Sequence, residues 1–295
     1  MTDPFLGANA LITTDNASLP LRTWIPKENP HAVLIALHGF NDYSNAFSDA
    51  GAHWSSQGVV VYAYDQRGFG ANKDAGGWPG VDTLVNDLSQ AVRVIATTHP
   101  GLPLYLIGES MGGGVVMMAV AHGLPEVKGI ILASPAVWGR EIMNGVYSIA
   151  LWLGAHTFPW VRVSGQNLGI TPSDNEPMLI ALGKDPLVIH KTRMDTLYGM
   201  ANLMDAALAA ASSIRTPTLV LYGAHDQIIP KKATARMLAR LSSTSTVVVY
   251  PDGYHMLLRD LRGDVVLADI SAWITRPDAT LPSGYDREWR SFFKR

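Results

Sequence analysis

The sequence predicts an α/β fold built on a mostly parallel, doubly wound sheet with helices on both faces. Three observations predict it: short uncharged runs rich in β-branched residues, helix-length segments between them, and a composition able to bury a large core. Of the 295 residues, 47% are hydrophobic and 16% charged, and the formal net charge is −2. A chain of that size and composition buries most of its apolar surface and is not disordered. With 23 basic against 25 acidic residues it carries no global positive field, which argues against a nucleic-acid partner. It contains no cysteine, so a thiol nucleophile, a disulfide scaffold and an iron–sulfur or thiolate metal site are excluded.

Taken in order, Ala10–Thr14 and Leu21–Trp24 are candidate antiparallel edge strands. Ala32–Leu37 (AVLIAL), Val59–Tyr64 (VVVYAY), Leu104–Ile107 (LYLI), Gly129–Ala133 (GIILA), Thr218–Tyr222 (TLVLY) and Thr246–Tyr250 (TVVVY) are continuous apolar runs. Such runs belong to strands covered on both faces. Ser44–Gln57, Val81–His99, Met111–His122 and Lys231–Leu241 have helical length and spacing. The alternation breaks over 138–211, which is rich in Trp, Met and Leu and shows no clear strand run. The expectation is a core formed by 1–137 and 212–295, with 138–211 inserted as a helical lid over the C-terminal edge of the sheet, where open α/β sheets bind ligands.

Two segments bear on the membrane and on location. Ile142–Val161 is uncharged over the ~20 residues that a bilayer requires. Asn144, Gly145, Ser148, His156 and Pro159 interrupt it, so lid helices are expected rather than a span. The opening MTDPFLGANALITTD has neither a basic n-region nor an apolar h-region. No secretory leader is expected, and a cytoplasmic location is.

The chemistry centres on Gly108-Glu109-Ser110-Met111-Gly112, a G-x-S-x-G pattern. A strand run leads into it and a helical segment leaves it, the strand–turn–helix context that lifts a serine hydroxyl above a sheet. An ordinary glycine-rich β–α turn is the alternative. A serine nucleophile needs a base, and the base needs an orienting acid. His255 follows TVVVY and Asp226 follows TLVLY, so both fall on the same strand-end rim as Ser110. His225 and Asp252 are weaker candidates, the latter in a D-G turn. His38-Gly39-Phe40 follows AVLIAL; the backbone N–H groups of Phe40 and Met111 are candidate oxyanion donors, a plain strand-to-loop turn being the alternative. No H-E-x-x-H pattern suggests a metal, and serine acyl transfer requires no organic cofactor.

The set HGFNDYS (38–44), YDQRGFG (64–70), GESMGGG (108–114), GAHDQIIP (223–230) and GYHMLL (253–258) resembles the α/β-hydrolase fold. Within it the chain resembles the monoacylglycerol lipase/lysophospholipase group of serine aminopeptidase S33-like hydrolases, from about Leu21 to Trp273. The chain departs from the family pattern at Asn41-Asp42-Tyr43, where G-E-H is usual, and at Phe69 and Ala71, where His and Ser are usual. The resemblance implies Ser110 as nucleophile, His255 as general acid/base, Asp226 as its orienter, and Phe40 and Met111 as oxyanion donors. It implies a small ester or single-acyl-chain lipid as substrate.

Trp138, Ile142, Leu151, Trp152, Leu153 and Phe158 are candidate roof residues for an acyl chain, the alternative being that they pack the lid onto the sheet. Peripheral membrane contact through the lid or the aromatic–basic tail 287–295 is a further expectation. General carboxylesterase or thioesterase activity is the nearest alternative, and a non-catalytic ligand-binding module is a more distant one.

Overall fold

The computed structural model describes residues 3–124, 127–165, 169–241, 245–287 and 289–294. The strands are β1 (Phe5–Leu6), β2 (Ala10–Ile12), β3 (Ser18–Trp24), β4 (Ala32–Leu37), β5 (Val59–Tyr64), β6 (Leu104–Glu109), β7 (Val127–Ala133), β8 (Arg162–Val163), β9 (Thr192–Arg193), β10 (Thr218–Gly223) and β11 (Thr246–Tyr250). The helices are α1 (Ser48–Ser56), α2 (Val81–Thr98), α3 (Met111–Ala121), α4 (Gly145–Thr157), α5 (Glu176–Lys184), α6 (Met194–Ala210), α7 (Lys231–Leu238), α8 (Gly263–Thr275) and α9 (Trp289–Lys294).

The main sheet runs β1-β2-β3-β5-β4-β6-β7-β10-β11. From β5 to β11 neighbouring strands are parallel, while β1, β2 and β3 form the expected antiparallel edge. The apolar runs are continuous because both faces are covered. Along β4, Val33, Ile35 and Leu37 join the layer formed with α2, α3 and α7, whereas Ala32, Leu34 and Ala36 join the layer formed with α1 and α8. The side chains of α2 that face the sheet, among them Leu84, Leu88, Val92 and Ile95, recur at helical spacing and are buried.

Among the described residues between β7 and β10, none joins the main sheet. It does contain one strand pair that the sequence did not announce, the two-residue β8 and β9, antiparallel through Arg162↔Arg193 and Val163↔Thr192. Pairs this short carry no readable alternation. Within this segment α6 packs on α3, and α4 packs on α6. The uncharged stretch 142–161 resolves into the 13-residue α4 and its flanks, and among the described residues no helix is long and apolar enough to cross a membrane.

The C-terminal tail turns its aromatic side inward. The rings of Phe292 and Phe293 lie 6.1 and 5.5 Å from that of Tyr222, and Trp289 and Phe293 pack against the core. Of the tail 287–295, Glu288 and Arg295 lie outside the described residues.

Candidate active site

β6 delivers the chain to Ser110, whose backbone turns at φ 50°, ψ −112° before α3 begins at Met111. That left-handed conformation is costly for a residue with a side chain, and the surroundings hold it in place. Ser110 N donates to Ala133 O on β7 at 2.9 Å, and Ser110 O accepts from Ala136 N at 2.9 Å. The glycines are a matter of space. A Cβ on Gly112 would sit 2.1 Å from Leu37 O, and one on Gly108 2.3 Å from the Gly112 carbonyl carbon. Ser110 itself retains 8% exposure. The Met111 N–H belongs to the first turn of α3, whose amides have no partner within the helix.

His38 orders the loop after β4. It is fully buried, and its Nε2 accepts from Gln66 N at 2.9 Å. Only the Nδ1–H tautomer allows that bond, so Nδ1 donates to Gly39 O at 2.8 Å. Gln66 closes the pair by donating its side-chain Nε2 to His38 O at 2.8 Å. Gly39 O and Phe40 N–H share one trans peptide, and a trans peptide points these groups in opposite directions. Holding the carbonyl toward His38 therefore turns the Phe40 N–H away from it. Burial pushes the His38 imidazole below its ordinary range, which keeps it neutral.

Asp226 and His255 meet across the ends of β10 and β11. His255 Nδ1 lies 2.9 Å from Asp226 Oδ2, and the carboxylate is fully buried. Its other oxygen accepts from Ile228 N at 2.8 Å and Ile229 N at 3.0 Å. The two loops are laced by Ala224 N to Tyr250 O and His225 N to Gly253 O, both 2.9 Å. With Nδ1 committed to the carboxylate, His255 Nε2 is the nitrogen available for proton transfer. His225 is elsewhere engaged, stacked on Tyr254 with ring centroids 5.2 Å apart.

Three charged residues around these loops were given no role from the sequence. Arg259 Nη2 lies 2.8 Å from Asp42 Oδ2 and 3.3 Å from Glu109 Oε2, and both carboxylates are buried. The Asp42 contact is a charge contact off the hydrogen-bonding direction. Burial pushes the Glu109 carboxyl up, against the pull of Arg259. Arg259 in the apolar run HMLLRDL was the one available signal, since an arginine there has to find a partner.

The segment between β7 and β10 is fastened to both loops. Ile189 N donates to Asn41 O at 2.9 Å, Asn41 Nδ2 to Thr192 Oγ1 at 2.7 Å, and the Tyr43 hydroxyl to Asp185 at 2.7 Å. On the histidine side Met256 N donates to Pro172 O at 3.0 Å, Ser173 Oγ to Asp260 at 2.6 Å and Asn175 Nδ2 to Arg259 O at 2.9 Å.

The candidate roof residues divide. Trp138 and Ile142 are half-buried and pack on the core layer that includes α3. Leu151 is half-buried, whereas Trp152, Leu153 and Phe158 face outward at 49%, 48% and 59% exposure.

Comparison with known proteins agrees with this architecture. The serine aminopeptidase S33 family profile matches residues 28–262. The chain is similar to the monoacylglycerol lipase of Mycolicibacterium smegmatis, 28% identical over 258 residues that cover 85% of this chain and 90% of that one. It is similar to the monoglyceride lipase of Homo sapiens, 25% identical over 290 residues covering 94% and 93%. A solved soluble variant of monoglyceride lipase from Saccharomyces cerevisiae, in complex with a substrate analogue, matches at TM-score 0.78 and 23% identity over 95% and 97% of the two chains. The fold is that of the α/β-hydrolases.

Proposed function

The chain belongs to the serine aminopeptidase S33 family, and from that premise we propose that it is a serine carboxylic-ester hydrolase acting on monoacylglycerol- or lysophospholipid-like lipids. The observation that carries the reading is the His255–Asp226 hydrogen bond on the rim above which the Ser110 turn projects. The fixed tautomer leaves Nε2 as the basic nitrogen on the same strand-end rim as a serine held in a strained, glycine-lined turn, an arrangement with no evident purpose in mere ligand binding.

The reaction runs in two steps. Ser110 Oγ attacks the ester carbonyl carbon while His255 Nε2 takes the hydroxyl proton, and Asp226 stabilises the resulting imidazolium. The carbonyl oxygen becomes an oxyanion facing the N–H groups of Phe40 and Met111. Collapse breaks the bond to the alcohol oxygen, which leaves with the proton from His255. Water then attacks the acyl-serine, His255 takes one proton from it, and the second collapse returns that proton to Ser110 Oγ and releases the carboxylic acid, which gives up its remaining proton to solvent.

Residues 138–211 act as the lid in this reading. Val146, Tyr147 and Ile149 on α4 are 71%, 66% and 63% exposed, and Trp152 continues the same apolar surface. An exposed patch of this kind fits contact with lipid, whether aggregated substrate or a bilayer surface. The relatives named for monoacylglycerol lipase activity support the same substrate class.

Fluorophosphonate labelling tests the nucleophile: wild type labels and Ser110→Ala does not. Turnover of p-nitrophenyl esters, monoacylglycerol and lysophosphatidylcholine tests the substrate. Medium or long acyl chains are favoured; strong preference for acetate with no turnover of decanoate would overturn the lipid assignment and leave a general carboxylesterase.

A further inference from the structure

We propose that Arg259 is a positioning residue for this reaction: its guanidinium holds the oxyanion loop, the serine turn and the histidine loop together and offsets the two carboxylates buried beside them. The inference rests on the ester-hydrolase reading for its chemistry, and on contacts alone for its geometry. Arg259 lies four residues after His255, and its partners are Asp42, two residues after Phe40, and Glu109, which immediately precedes Ser110. One buried side chain thus touches all three segments that carry the proposed machinery. Both contacts, at 2.8 and 3.3 Å, run through the one nitrogen Nη2.

The electrostatic consequence follows from where charge develops. Attack on an ester places negative charge between the Phe40 and Met111 amides and positive charge on His255. Asp42 and Glu109 are 5% and 2% exposed, so solvent screens them poorly. Left unpaired, they would oppose the oxyanion and draw a proton onto the resting imidazole. Arg259 cancels one of the two charges and lies in direct contact with both. His255 also faces Asp226 directly and feels Glu109 and Asp260 through space; Glu109 in turn feels Asp42 and His255. Buried His38 faces Asp42, Asp65 and Arg259, and is neutral. Among these groups Arg259 is the positive charge that does not depend on pH.

The test is the titration of the His255 imidazole by NMR in the full-length protein without substrate, with His255→Gln to assign the signal. In Arg259→Met the midpoint rises by roughly one pH unit, because a cation is lost and the carboxylates remain. In Arg259→Lys, which keeps the charge, it stays near the wild-type value, and in the double variant Arg259→Met/Glu109→Gln it returns toward it. With ester substrate, kcat falls roughly tenfold or more in Arg259→Met with KM little changed, and the double variant recovers part of the loss. An unchanged midpoint in Arg259→Met, or an equal displacement in Arg259→Lys, would overturn the proposal. If Arg259→Met does not fold, Glu109→Gln alone reads the same interaction: the midpoint falls, and an unchanged value overturns it. The midpoint needs no turnover, so this result stands apart from the Ser110 labelling that tests the ester-hydrolase reading.

Discussion

The Tyr43 hydroxyl donates to Asp185 at 2.7 Å, joining the loop after β4 to the segment that covers the sheet edge. Together with Asn41 and its bonds to Ile189 and Thr192, it forms a clasp. These are two of the three positions at which the chain departs from the family's usual G-E-H. In place of the usual G-E-H, the loop after β4 therefore carries residues that grip the covering segment. Burial and the neighbouring Asp185 push the Tyr43 phenol up to about 12, so the clasp is intact across the physiological range.

Tyr43→Phe removes one hydrogen bond to a charged acceptor, worth about 1.5–3 kcal/mol at most and less here because the site is partly wet. The loss is local. Amide exchange over 185–192 accelerates while that of β4 and β6 is unchanged. Equal protection in wild type and variant would show that the other two bonds suffice.

His38 carries a pH signature. Its folded-state proton affinity lies below the ordinary value of 6.5, so below that pH the unfolded chain binds more protons than the folded one. Its stabilising contribution is complete above 6.5 and is lost as pH falls below it. The thermal midpoint drops between pH 7 and 5, and the drop is smaller in His38→Gln. The same variant loses the bond that orients the Phe40 N–H, so kcat falls by up to about 10²–10³, the loss expected for one oxyanion donor. A variant of full activity would remove His38 from that role.

The turn at Ser110 separates fold from chemistry. Gly112→Ala drives a methyl to within 2.1 Å of Leu37 O, a backbone atom that cannot yield, and the protein is destabilised by at least about 3 kcal/mol or does not fold. Ser110→Ala folds and is inactive. Ser110→Gly melts no lower than Ser110→Ala despite glycine's entropic disadvantage, because it relieves the φ of 50°. A clearly lower melting temperature for the glycine variant would mean that the turn is not strained.

Asp226→Asn keeps the size of the side chain but not its charge or its fixed partner for Nδ1. Turnover falls by about 10⁴ with unchanged circular dichroism, as expected when the histidine loses its orienting acid. A loss below tenfold would shift the orienting role to another carboxylate.

The surface of α4 is tested by sedimentation with anionic vesicles. Ile149→Ser/Trp152→Ser weakens co-sedimentation. Deleting 287–295 instead lowers stability, since Phe292 and Phe293 pack on Tyr222. Weaker partitioning of the truncated protein at unchanged stability would move the contact to the tail.

Much of this was legible in one dimension because the decisive constraints are local. A strand buried on both faces has to be apolar throughout, so β4, β5 and β11 were readable to the residue, Ala32–Leu37, Val59–Tyr64 and Thr246–Tyr250. The Ser110 turn is contiguous, and its glycines stand where the backbones meet. Asp226 and His255 were placed by a rule about strand ends, with the segments GAHDQIIP and GYHMLL adding a family resemblance. Helix ends were less legible: Lys231–Leu241 ends as a helix at Leu238, since propensity does not mark where packing stops.

The sequence by itself determined the parallel sheet, the strained serine turn and the rim on which the histidine and its acid stand, because burial and sterics act through neighbouring residues. Tertiary structure alone decided the rest. Arg259 reaches Glu109 across 150 residues of chain, and no periodicity encodes where two loops end up. Composition could not tell that the apolar α4 has no buried residue while the apolar α3 is almost wholly enclosed. Apolar residues state what water would rather avoid; only the packed chain decides which of them stay in contact with it.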